Sequence, residues 1–314
     1  MTAVPVPSSS DSEESTRTVI IALLTNLAVA VAKGIAAAVT GSAAMFAETA
    51  HSIADTMNEV LLVVGVRRSS RSADDMHPHG YGEERYFWSL LAALGVFIAG
   101  GVVAIAEGVE SLLDPQPVEF AGVGLAVLAV SAVLEGISWR VSRRQLQSDA
   151  GRRGVTVRTY VRSTSDPAPV TVFFEDSAAL IGLGLAAAGL VLHELTGSAV
   201  WDALASLAVG VLLIWVAYRL VLLNRRLLIG ATAPQAIVDD LTARVAAEDW
   251  VREVASSTVI YVGPYRVSAA FDVVVAGDIS ATELAADVDA LRERLGSDRR
   301  IATLTVTPTL DPAD

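Results

Sequence analysis

The chain has 314 residues, of which 53% are hydrophobic and only 18% charged, where soluble domains carry about 25% charge. Its mean hydropathy of +0.51 points the same way, toward a membrane protein. A formal net charge of −12 argues against nucleic acid as a partner, and the absence of cysteine excludes disulfides and thiolate metal ligands.

Residues 1–17 carry Ser8–Ser10 and then Asp11, Glu13 and Glu14, with no basic residue before Arg17. This predicts a disordered acidic tail and not a secretory signal, which opens on a basic segment. A helix needs about 20 mostly apolar residues to cross the hydrocarbon layer. Six stretches within residues 18–223 meet that length: 18–40, 42–66, 86–113, 121–141, 172–195 and 199–222. Basic residues mark the cytoplasmic side. Arg67, Arg68, Arg71 and Arg85 lie between spans two and three, and Arg143, Arg144, Arg152, Arg153, Arg158 and Arg162 between four and five. Arg17 precedes the first span, and Arg225 and Arg226 follow the sixth. The other three loops have no basic residue, so both termini are expected in the cytoplasm.

Residues 224–314 change character, with dispersed charge and short apolar patterns, and read as a cytoplasmic domain. A helix is predicted over 235–246, strands over 257–262 and 266–275, a helix opened by Ser280, and a strand over 301–306. Val267, Ala269, Phe271, Val273 and Val275 alternate along the second strand. Gly263-Pro264 marks the turn before it. Ser280 and Glu283 have capping-box spacing, and Leu284, Val288, Leu291 and Leu295 make an apolar stripe. The order α-β-β-α-β suits a ferredoxin-like α+β domain. The fold expected is therefore an α-helical membrane protein of six transmembrane helices with that domain appended.

Charges in hydrocarbon cost about 2.5–3.5 kcal/mol each on insertion scales, so each needs a reason. Span two is the richest, with Glu48, His51, Asp55 and Glu59. His51 and Asp55 are one turn apart on one face, where an imidazole nitrogen and a carboxylate oxygen can hold a metal ion together. The competing reading is that they only hydrogen-bond between helices. Two ligands leave a tetrahedral ion incomplete, so a second helix must contribute. The adjacent Glu175 and Asp176 in span five are the first choice, although about 100° of helix separates them and only one can face the ion. Asp202 in span six is the alternative, or else a helix cap. Glu107, Glu110 and Glu135 are expected to face water or partners, and Lys33 to pair with a carboxylate or to snorkel. A second cluster, Asp74, His77 and His79, lies in the loop 74–82, which can bind metal or simply fold on its own hydrogen bonds. His193 stands alone near the outer end of span five.

These features together resemble the cation diffusion facilitators. The resemblance is carried by Gly41-Ser42 through His51-Ser52-Ile53-Ala54-Asp55, by His77-Pro78-His79-Gly80-Tyr81-Gly82, and by the six spans with an α-β-β-α-β tail. It implies a homodimer in the lipid bilayer that moves divalent metal out of the cytoplasm in exchange for protons, with a transport site shared by spans two and five. One histidine with carboxylates suits zinc as substrate and tolerates cobalt, cadmium, iron or manganese, and no cofactor is expected. The chain departs from the family's span-five pattern His-x-x-x-Asp. With Asp176 as its Asp, the His place is Val172, and the site reads His51, Asp55 and Asp176 with help from Glu175. The nearest pattern is the branch with Glu-Asp-Ser-Ala-Ala in that span. The family's accessory site, Asp-x-x-His-x-x-x-His, is met by Asp74 and His77, but its last place is Tyr81, so His79 is the substitute. No histidine follows His193, which leaves only unspecific carboxylates such as Asp239, Asp272 and Asp287 in the cytoplasmic domain. A membrane zinc hydrolase with Glu48 as base lacks a His-Glu-x-x-His pattern. A transport-inactive sensor or scaffold is the other alternative. The expected location is a prokaryotic inner membrane.

Overall fold

The computed structural model describes residues 26–115, 118, 120–275 and 279–310. The acidic tail 1–17, the first eight positions of span one and Gln116 lie outside the described residues. Helix α1 is described over Asn26–Thr40. It ends at Gly41, whose φ of 65° is left-handed, with the Gly41 amide donating back to the Ala37 carbonyl. Ser42 then starts α2 (Ala43–Ser69) by accepting from the Met45 amide at 3.1 Å.

Four more long helices follow: α3 (Glu84–Leu113), α4 (Ala121–Arg152), α6 (Ala168–Thr196) and α7 (Val200–Leu228). These four are long and apolar enough to cross a membrane. Helix α2 has the length, but its polar residues from Glu48 to Glu59 interrupt the apolar run. A short α5 (Val157–Ser163) starts at Thr156, whose side chain accepts from Thr159. Inside α3 the segment Val96–Val102 is π-helical. Small residues let α3 approach α7 there: a Cβ on Gly101 would lie 2.7 Å from Ile214, and Ser206 donates to the Ala104 carbonyl at 2.8 Å.

The C-terminal elements are α8 (Gln235–Ala246), β1 (Val251–Gly263), β2 (Arg266–Val275), α9 (Ala281–Gly296) and β3 (Ile301–Leu310), in the order the sequence predicts. The sheet runs β1-β2-β3, with β1 antiparallel and β3 parallel to β2. The alternating face of β2 is buried from Val267 through Val275, and Val288, Leu291 and Leu295 of α9 are buried against the same core. Ser280 and Glu283 form the expected capping box. Strands β1 and β3 run longer than expected, because β2 offers pairing partners along its full length. The register of β1 shifts at Val251/Glu253 and Val254/Ser256, which breaks the alternation there.

By contacts the chain forms two compact units. One gathers Met1–Val63, Leu91–Gln145 and Thr171–Val221; the other gathers Val64–Leu90, Leu146–Val170 and Leu222–Asp314. The second unit thus includes two inter-helix segments as well as the sheet. Within it, Asp166 accepts from Arg85 at 2.9 Å, and Ser165 accepts from the Tyr265 amide at 2.9 Å. Burial pushes the Asp166 carboxyl up, and the Arg85 guanidinium pulls it back down.

Candidate metal centre

Helix α2 gathers its polar side chains on one face. Glu48, His51, Ser52, Asp55 and Asn58 follow the i, i+3, i+4, i+7 spacing, while Ile53 and Met57 point outward on the other side. Glu48, His51, Ser52 and Asn58 are buried. His51 Nδ1 stands 3.5 Å from Asp55 Oδ1, within ion-pair reach but outside hydrogen-bond geometry. Neither ring nitrogen of His51, nor Asp55 Oδ1, has a hydrogen-bond partner among the described residues. Buried polar atoms are normally paired, so such a set marks a place where a polar ligand fits.

The face opposite belongs to α6. Asn58 donates to Glu175 Oε2, and Glu175 Oε1 has no hydrogen-bond partner among the described residues. Two turns along the same face is Gly182, where any Cβ would collide with Glu48 Oε1. Glu48 meets the later part of α6 and Asn58 the earlier part, so the two helices run antiparallel at this contact. His51 and Asp55 fall between these two contacts. The corresponding stretch of α6 is the buried pair Ala178 and Ala179, too small to fill the space with side chain. Asp55 stands in the electrostatic field of Glu175, Glu135, Lys33 and Glu48.

Asp176 faces elsewhere. Its carboxylate accepts from Ser138 at 3.1 Å and Ser142 at 2.8 Å, both on α4. The 100° between neighbouring helical residues separates the two carboxylates: Glu175 goes to α2 and Asp176 to α4. As the side chains stand, no group of three His, Asp or Glu residues is close enough to hold an ion among the described residues.

Lys33 of α1 finds its partners on α2. Its Nζ donates to Glu48 Oε2 at 3.0 Å and to Ser52 Oγ at 2.8 Å, and both charged side chains are fully buried. Asp202 serves as a cap, but across helices: it accepts from the Ser42 hydroxyl at 2.6 Å and the Ala44 amide at 3.4 Å, at the start of α2. Sequence reasoning misses Asn58, Ser138 and Ser142. Asn58 sits seven residues after His51 and three after Asp55, so the helical wheel places it on the same face.

The loop cluster is tied up by its own bonds. Asp74 accepts from the amides of Met76 and His77 and from the Tyr81 hydroxyl at 2.7 Å. Those bonds, Tyr81 foremost, hold its carboxyl below the ordinary range. His77 Nδ1 is 3.5 Å from Asp74 and its ring packs against Tyr81. His79 Nδ1 is 2.7 Å from the Thr303 hydroxyl on β3. Asp74 and His77 therefore face each other within the loop, while His79 turns away to β3. Of the C-terminal carboxylates, Asp239 accepts from Gln235 and Asp272 from Ser256.

Several known proteins are similar to this chain in sequence. The chain is 37% identical over 215 residues to the mitochondrial proton-coupled zinc antiporter SLC30A9 of Xenopus laevis, covering 68% of this chain and 38% of that protein. It is 39% identical over 191 residues to metal tolerance protein C4 of Arabidopsis thaliana, covering 61% and 42%. Over 287 residues it is 24% identical to the uncharacterized transporter MJ0449 of Methanocaldococcus jannaschii, covering 90% and 94%. The chain spans about two-fifths of the length of the first two relatives. Residues 19–229 match the cation efflux transmembrane domain, two thirds of the chain and every residue of the polar faces just described, so the protein belongs to the cation efflux family, the cation diffusion facilitators, which are transporters and not enzymes.

Proposed function

We propose that this cation efflux protein exchanges a zinc-class divalent cation for protons, with His51, Asp55 and Glu175 as its ligands. The observation that carries the reading is the buried face of α2, where both His51 nitrogens and an Asp55 oxygen lack partners among the described residues, opposite the half-bonded Glu175. One imidazole with two carboxylates, and no thiolate, suits zinc and also admits cobalt, iron or manganese. Metal binding needs a neutral imidazole and ionised carboxylates, so loading the site releases protons and proton return displaces the metal. The name of the Xenopus relative, a proton-coupled zinc antiporter, supports the same pair of substrates.

In this reading Asp176 fastens α6 to α4 and acts on the site through helix position. Asp74, His77 and His79 fold their loop outside the transport site. The protein works as a homodimer in a prokaryotic inner membrane, with both termini in the cytoplasm, and moves metal outward. The test is uptake of a metal panel into proteoliposomes under an imposed pH gradient. Zinc uptake accompanied by stoichiometric proton counterflow supports the proposal, and Asp55→Asn should abolish it. Zinc binding without vectorial flux would favour a sensor instead. A reporter inserted after Pro115 checks the orientation, which requires it to be external.

A further inference from the structure

A buried ion pair in the membrane-spanning part is a costly way to join two helices. Replacing both partners of such a pair by neutral groups is often tolerated, whereas removing one leaves an uncompensated charge. Lys33 and Glu48 are both fully buried, 3.0 Å apart, and Lys33 also donates to Ser52 at 2.8 Å. Ser52 is the neighbour of His51, and Glu48 sits on the same face one turn before it. Glu48 Oε1 has no hydrogen-bond partner among the described residues. Without Lys33, a third carboxylate with a spare oxygen would stand beside the proposed ligands. The charges of Lys33 and Glu48 both reach Asp55, and that of Lys33 reaches His51.

Building on the proposed transport site, we infer that Lys33 is its positioning cation: its ammonium clamps Glu48 away from the metal, so that of the carboxylates on the facing sides of α2 and α6 Asp55 and Glu175 are left to ligate the ion. The count then closes. Two carboxylates and a neutral imidazole balance a divalent cation, and the Lys33–Glu48 pair adds nothing to the net charge. A third free carboxylate would leave the loaded site negative and slow release. An unpaired Lys33 would leave it one charge too positive and weaken binding.

The experiment compares full-length wild type with Lys33→Met, Lys33→Arg, Glu48→Gln, the double variant Lys33→Met/Glu48→Gln and Asp55→Asn, all in proteoliposomes with zinc as the probe. Glu48 and Asp55 are seven residues apart, about 10 Å of helix rise. One unit charge acting on a divalent ion across roughly that distance, at an effective dielectric near 20, changes affinity by roughly 100–200-fold. Lys33→Met should lower KM by about that factor and lower the maximal rate with it; Glu48→Gln should raise KM by the same factor. The double variant should return KM to within about threefold of wild type, and Lys33→Arg should keep it there. A purely structural pair would change protein yield and thermal stability without moving KM in opposite directions. The inference is overturned if the two single variants shift KM the same way or leave it unmoved, or if the double variant fails to restore it. If Lys33→Met does not fold, Glu48→Gln against the double variant decides on the same criterion. Normal transport by Asp55→Asn would instead overturn the site itself.

Discussion

Glu175→Gln and Asp176→Asn, made separately, distinguish the proposed ligand from the helix clasp. Asp176 accepts two hydroxyl hydrogen bonds, at 3.1 and 2.8 Å. A bond to a charged acceptor contributes about 1.5–3 kcal/mol and a neutral one about 0.5–1.5 kcal/mol. Asp176→Asn keeps an acceptor carbonyl and loses the charge, so it should cost roughly 2–3 kcal/mol of stability over the two bonds, with zinc affinity little altered. Glu175→Gln removes an anionic donor from a three-ligand site. Loss of even an outer-shell partner weakens metal binding by about 10–100-fold, so loss of a direct ligand should exceed about 100-fold. Neutral Gln can still accept from Asn58, so by the same figures the stability cost should be about 1–1.5 kcal/mol, half that of Asp176→Asn. Zinc titration calorimetry on detergent-solubilised protein, with thermal unfolding on the same samples, reads both quantities. Weak binding in Asp176→Asn with near-normal binding in Glu175→Gln would refute the reasoning and make Asp176 the ligand.

Three further outcomes are expected. The double substitution His77→Ala/His79→Ala should leave zinc transport close to wild type, because His79 is engaged with Thr303 and His77 with Asp74 and Tyr81; flux as low as that of Asp55→Asn would put the loop on the transport path. Gly82→Ala should destabilise by about 1–3 kcal/mol, since its Cβ would meet the Val262 carbonyl and the Gly263 backbone, neither of which can swing aside. Hydrogen exchange at the β1–β2 turn is the readout, and unchanged protection would contradict the packing. Hydrogen bonds from Arg300, with the charges of Arg300 and Arg244, hold the Asp298 carboxyl down at about 2 against the usual 3.8. A depressed folded-state value stabilises the fold above about pH 4 and ceases to do so as the pH falls toward about 2. Arg300→Ala should flatten unfolding profiles in that window, and a profile identical to wild type would exclude the interaction.

Much of the fold is legible because membranes and sheets impose periodic patterns. A helix in hydrocarbon must be apolar for its full length, so the helices between Glu84 and Leu228 are readable from composition alone. The face of β2 is readable because side chains alternate, and the start of α9 because Ser280 and Glu283 cap it reciprocally. The helical period by itself puts His51 and Asp55 on one face. Local spacing also shows that Glu175 and Asp176 cannot both face one point, but it carries no information about which one does. That choice belongs to the packing of α6 between neighbours: Asn58 of α2 takes Glu175, and Ser138 and Ser142 of α4 take Asp176. Lys33 is visible in the sequence as a charge in need of a partner, and only the approach of α1 to α2 assigns it Glu48 and Ser52. Asp202 reads locally as a candidate cap for its own helix, yet it caps α2, 158 residues away at Ala44. Side-chain period is set within a few residues by backbone geometry, whereas partner choice depends on which distant helices the chain brings together, and no local pattern encodes that.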